Sequence, residues 1–175
     1  MIRPGRRSAR PALPAAAVRW RLTLVPAGSV LAGSATALLP FVVSVPALPP
    51  FGLLLLLGWS LLRTALWPAW VALPLGFADD LMTGNPIGTA MVLWTVTLLA
   101  LQLIDRAVAW RDHWVDWAIA AAAIQFCTGA GWLIAGVGGG RGAFVVAAGQ
   151  AAVAILCYPA AVRIVALLDR WRLKR

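Results

Sequence analysis

The chain predicts an all-α polytopic membrane protein, a bundle of six transmembrane helices with the N-terminus and C-terminus both cytoplasmic. Three observations lead there. Of its 175 residues, 62% are hydrophobic and 12% charged, against about 25% charged in soluble domains, so polar surface is too scarce to solvate a compact ball. Mean hydropathy is +0.85, and the apolar residues collect into runs that meet or approach the roughly 20 residues a spanning helix needs. The net charge of +9 sorts to one side of the membrane once those runs are laid out, as the positive-inside rule requires.

In chain order, residues 1–21 form a basic tail with Arg3, Arg6, Arg7, Arg10, Arg19 and Arg21. The spans follow at about 22–45, 48–62, 64–82, 86–104, 114–137 and 143–168, and a second basic tail closes the chain at 169–175. The basic start, the apolar run and the small residues 32–37 also fit a cleavable signal peptide. The long Arg-rich head and the apolar character of everything that follows make an uncleaved first span the plainer reading.

The second run is short. Residues 48–62 hold five consecutive leucines at 53–57, but 15 residues rise only about 22 Å against a core of about 30 Å. Charge decides whether it crosses. With six spans, Arg63, Arg106, Arg111, Arg163, Arg170, Arg172, Lys174 and Arg175 join the six N-terminal arginines inside, leaving Arg141 alone outside. If 48–62 merely dips in and returns, every later segment inverts and the asymmetry vanishes. To cross, the short helix would recruit residues 46–50, thin the bilayer, or stand upright among longer neighbours. Tryptophan agrees, because Trp20, Trp59, Trp67, Trp110, Trp114, Trp117 and Trp171 fall near the cytoplasmic ends, where indoles favour the interface.

Composition excludes much chemistry. Cys127 and Cys157 stand apart in apolar surroundings and His113 is the single histidine, which leaves no disulfide scaffold and no ordinary metal site, and no cofactor is expected. The chain has no Glu, and the adjacent Asp79 and Asp80 diverge by about 100° on a helix, so they do not flank one substrate as an acid and base. The tails carry no recognisable nucleic-acid module. No enzyme and no nucleic-acid partner is expected.

The most informative stretch is Gly76-Phe77-Ala78-Asp79-Asp80-Leu81-Met82-Thr83-Gly84-Asn85-Pro86-Ile87-Gly88. Gly84 suits the left-handed residue that ends a helix, Asn85 an N-cap and Pro86 a first helical turn. The stretch therefore predicts a tight helical hairpin on the outer side. Gly76, Asp80 and Gly84, spaced by four, line one helical face where a neighbouring backbone approaches closely. The carboxylates need compensation, for which the N–H groups opening the next helix, a partner protein or outer water are candidates. Small-residue stripes (Gly28, Ala32, Gly33 and Ala37; Gly131 and Ala135) read as packing faces, and Gln125 and Gln150 as packing glue, paired with each other or lining a small pocket. Arg106, Trp110, Arg111 and Trp114, between the fourth and fifth spans, form a candidate cytoplasmic docking surface, with an interfacial Trp/Arg belt as the bland reading. Asp105, Asp112, Asp116 and Asp169 read as interfacial ion pairs with Arg106, Arg111 and Arg170.

The residues Gly76, Asp80, Gly84, Pro86 and Gly88, preceded by a proline-rich short second span and by Gly58, Trp59 and Arg63, resemble the bacterial rod shape-determining protein MreD family. The likeness covers the whole layout of a short basic head, five or six spans and almost no extramembrane domain. It implies a non-enzymatic component of the peptidoglycan elongation machinery in the bacterial inner membrane. The partners implied are membrane lipid, an MreC-like periplasmic scaffold, an MreB-like filament and a RodA/penicillin-binding protein synthase. It also implies an architecture similar to the six-helix substrate-binding subunits of energy-coupling vitamin transporters, so a vitamin-binding transport subunit is the rival expectation. Here Asp79 makes the family's single Asp a pair, and residues 136–142 are unusually glycine-rich.

Overall fold

The computed structural model describes residues 15–39, 48–63, 66–107, 112–137, 139 and 142–173, with residues 15–22 described by their backbone alone. Among them are six α-helices and no strand: α1 Ala15–Ala35, α2 Phe51–Leu62, α3 Ala72–Thr83, α4 Thr89–Ala107, α5 His113–Val137 and α6 Phe144–Leu173. Short 3₁₀ turns, Thr36–Leu38 and Ala69–Val71, extend α1 and introduce α3. Helices α4, α5 and α6 are each long and apolar enough to cross a bilayer.

The short second run becomes the centre of the bundle. Helix α2 touches α1, α4, α5 and α6, while α1, α3, α4, α5 and α6 pack in sequence around it. Its leucines at 53, 54, 56 and 57 and Trp59 are all buried, as expected of a helix apolar on every side. Enclosed by protein, α2 has no need to match the bilayer thickness, and its 12 residues rise only about 18 Å. Leu48, Pro49 and Pro50 remain outside the helix, with Pro50 at its N-cap position, so these three residues do not lengthen it. Residues 46 and 47 lie outside the described residues.

Close crossings fix the packing. A Cβ on Gly33 would stand 3.0 Å from Gly52 N, so α1 and α2 nearly touch there, whereas Gly28 of the same expected stripe faces open space. Thr97 Oγ1 and Cys127 Sγ lie 3.2 Å apart across α4 and α5. In α6, Pro159 lacks the N–H that would bond the carbonyl of Ile155. The indole of Trp117 donates to that carbonyl at 3.3 Å, so α5 repairs the defect and is held to α6 by the same bond.

Two boundaries differ from the sequence expectation. Helix α4 opens at Thr89 rather than near Pro86, because residues 86–88 form a turn in which Thr89 N–H donates to Pro86 O at 3.1 Å. Helix α6 continues to Leu173, past the expected end at 168, because Asp169 and Arg172 are buried against the bundle.

Candidate functional site

The 76–88 stretch folds as one unit. Helix α3 ends at Gly84, whose φ of 71° is left-handed and whose N–H donates to Asp80 O, a conformation that costs any side-chain-bearing residue about 1–2 kcal/mol. Gly88 follows with φ 99°. Four residues before Asp80, a Cβ on Gly76 would stand 2.6 Å from Met91 N and 2.7 Å from Ala90 O. Only glycine lets α3 and α4 cross there.

That crossing delivers the Asp80 carboxylate to the start of α4. Oδ2 accepts the Gly88 N–H at 2.8 Å and Oδ1 the Ala90 N–H at 2.9 Å, and the side chain is 1% exposed. A helix start carries unsatisfied N–H groups and a positive dipole end, so the carboxylate and the helix compensate each other. The expected close approach on the Gly76 and Asp80 face is thus made by the chain's own α4. Asn85, expected as the N-cap, instead donates from Nδ2 to Thr83 Oγ1 at 3.0 Å, leaving the capping to Asp80. Pro86 closes the turn, its carbonyl accepting the Thr89 hydroxyl at 2.7 Å.

Asp79 points another way, as the 100° offset requires. A Cβ on Gly52, at the start of α2, would meet Ser34 Oγ and stand 3.1 Å from Asp79 Oδ1. The carboxylate therefore sits by the positive end of α2, which has no side-chain cap of its own. Beside it opens a half-open cavity of about 460 Å³, lined by the ends of α1, α3 and α5 and the starts of α2, α4 and α6. Successive helices thus alternate in direction.

At the opposite end lies a network that sequence reading missed. Asp169 Oδ2 accepts from Arg63 at 2.8 Å, and Oδ1 from Arg172 at 2.7 Å. Arg172 lies over the Trp59 ring at 5.1 Å, and Trp59 Nε1 donates to Ser29 Oγ at 2.9 Å. Asp169 is therefore a buried clasp between α2 and α6 and no interfacial partner of Arg170. The signal for it was the i, i+3 spacing of Asp169 and Arg172; nothing in the sequence pointed to Arg63.

The remaining candidates scatter. Arg106 and Trp114 are exposed at the Asp169 end, Trp114 edge-on to Trp117; Trp110 and Arg111 lie outside the described residues. Trp94 and Gln150 reach the cavity, and Gln150 Nε2 donates to Leu48 O at 2.9 Å. Gln125 is exposed, so the two glutamines do not pair. Ser34, unremarked in the sequence because small residues surround it, is a cavity residue. Among the described residues, no cluster of His, Cys, Asp or Glu could hold a metal ion. No family model, curated protein or solved structure matches the chain.

Proposed function

We propose that the chain is an integral inner-membrane scaffold of the peptidoglycan elongation machinery, crossing the membrane six times with both termini in the cytoplasm. It determines cell shape by helix packing against an MreC-like periplasmic scaffold. Its cytoplasmic surface, with Arg106, Trp110, Arg111 and Trp114, faces an MreB-like filament, and a RodA/penicillin-binding protein synthase is the further partner. The observation that carries this reading is that the five residues of the family-like pattern, Gly76, Asp80, Gly84, Pro86 and Gly88, make one structural device. Three of them, Gly84, Pro86 and Gly88, set its turns, one opens the crossing and one caps α4. Such a device shapes a rigid face and leaves no group free to react.

Since Gly76 and Asp80 are spent inside the chain, the partner meets the outward side of α3 and the turn before it. Trp70, Leu73, Phe77 and Leu81 are exposed there at helical spacing, with Trp70 at 64%. The test is deletion of the gene in its own organism, with complementation and affinity purification in mild detergent. The wild-type chain restores rods and retains the periplasmic scaffold. Phe77→Ala with Leu81→Ala leaves the protein folded but loses the scaffold, and Asp80→Leu loses both fold and partner. Rods that persist without the gene, or a wild-type chain that retains no scaffold, overturn the reading.

A second reading, a vitamin-binding transport subunit, draws on the cavity of about 460 Å³. It requires saturable binding of a vitamin-like ligand and co-purification of an ATPase module.

A further inference from the structure

The cavity has a polar floor that the hairpin does not use. Asp80 spends both oxygens on backbone N–H groups. Asp79, 9% exposed, has no such donors. Its neighbour over Gly52 is Ser34 Oγ, 3% exposed, whose hydroxyl is the side-chain donor beside the carboxylate. One hydroxyl does not replace the water that a buried carboxylate gives up, a loss that is costly unless further donors or an opposite charge make it good. Both line the same cavity.

The surroundings define what would satisfy them. Among the described lining residues, Asp79 is the one charged group, so the cavity carries a formal charge of −1 and favours a cation. The α2 start, which would attract an anion, is already occupied by Asp79. Trp94 and Trp132 supply aromatic wall, a surface that attracts ammonium groups. Asn85, Thr89 and Gln150 add neutral polar atoms, while Phe51, Leu93 and Val146 offer apolar surface. The volume falls within the roughly 300–1,000 Å³ of small-molecule sites.

We propose that this cavity is a binding site for an ammonium group carried on a small or apolar body, its N–H groups donating to the Asp79 carboxylate and to Ser34 Oγ. The cavity lies over the start of the central helix, which is shorter than α1, α4, α5 and α6, and the site holds for a scaffold as for a transport subunit. A soluble organic amine and the ethanolamine headgroup of a phospholipid share this chemistry.

The experiment uses the full chain in detergent, with thermal unfolding and native mass spectrometry as readouts. The probes are tryptamine and short-chain phosphatidylethanolamine, with phosphatidylglycerol of equal chain length as control. Saturable stabilisation by tryptamine alone identifies a free amine, by phosphatidylethanolamine alone a lipid headgroup, and either supports the site. Asp79→Asn and Ser34→Ala each weaken binding about 10-fold or more, the size of one charge-assisted hydrogen bond. Should Asp79→Asn fail to fold, Ala147→Phe, which fills the cavity wall without touching Asp79, abolishes binding while keeping the unfolding temperature. No binding of either amine, equal binding of phosphatidylglycerol, or undiminished binding to Ala147→Phe overturns the proposal.

Discussion

Asp80 and Asp169 are both withdrawn from water at opposite ends of one bundle, and they are held by different means. Asp80 takes two backbone N–H groups from a helix start eight to ten residues away. Asp169 takes two guanidinium groups, from Arg172 three residues on and from Arg63 just past the end of α2. Backbone donors are fixed once the turn is fixed, and fixing it demands glycine at Gly76 and Gly84. Side-chain donors tolerate imperfect backbones but must order long, flexible arms and remain open to salt. One end is therefore governed by geometry and the other by charge.

The largest effect should come from breaking the geometric end at its crossing. Gly76→Leu drives an isobutyl group into the Ala90 and Met91 backbone, forces α3 off α4 and breaks both Asp80 bonds. Overpacking and two lost charge-assisted bonds together cost about 4 kcal/mol. Denaturant unfolding in detergent micelles measures it, and near-wild-type stability would show that the helices do not cross as closely as described.

At the other end, Asp169→Leu takes the paired carboxylate away from the Arg172 guanidinium, whose side chain is 4% exposed. Breaking a buried pair in this way costs about 3 kcal/mol. The double variant Asp169→Leu with Arg172→Met recovers most of that loss, since apolar replacement of both partners is close to neutral. No such rescue exists for Asp80, because its partners are main-chain groups. Asp80→Asn presents an NH₂ where an acceptor is needed, so one bond survives and about 2 kcal/mol is lost in the same assay.

These contrasts track what was legible in the sequence. The hairpin was readable because glycine, proline and aspartate carry conformational meaning at fixed spacing, and Gly84 and the Gly76 crossing lie where that spacing puts them. The start of α4 was misplaced because a cap from another helix has no local signature: Asn85 looked the better cap, yet Asp80 reaches across. The identity of the central helix was only half readable. A run of leucines says that a helix is buried, but not that α1, α4, α5 and α6 all pack against it, and the doubt over its length assumed a lipid-facing span. The Arg63 contact to Asp169 joins residues 106 apart, a distance at which no periodicity speaks. Ser34 matters through the cavity beside it, which exists only in three dimensions.

The smallest effect is the one that separates charge from geometry most directly. The Arg63 side chain is 49% exposed, so its bond to Asp169 resembles a surface ion pair and contributes about 0–1 kcal/mol. Arg63→Gln should therefore cost far less than Asp169→Leu, because Arg172 still neutralises the carboxylate from the buried side. Raising ionic strength from about 0.1 M to 1 M shortens the screening length from about 10 Å to 3 Å. Wild-type stability should fall slightly over that range and Arg63→Gln stability should stay level, so the two converge. In an Asp80→Asn background the same salt increment should appear in full, since the Asp80 contacts are short, buried and made to uncharged backbone. If instead the increment vanished with Asp80 and persisted without Arg63, the charge-governed end would be the hairpin, and the assignment of the two ends would have to be reversed.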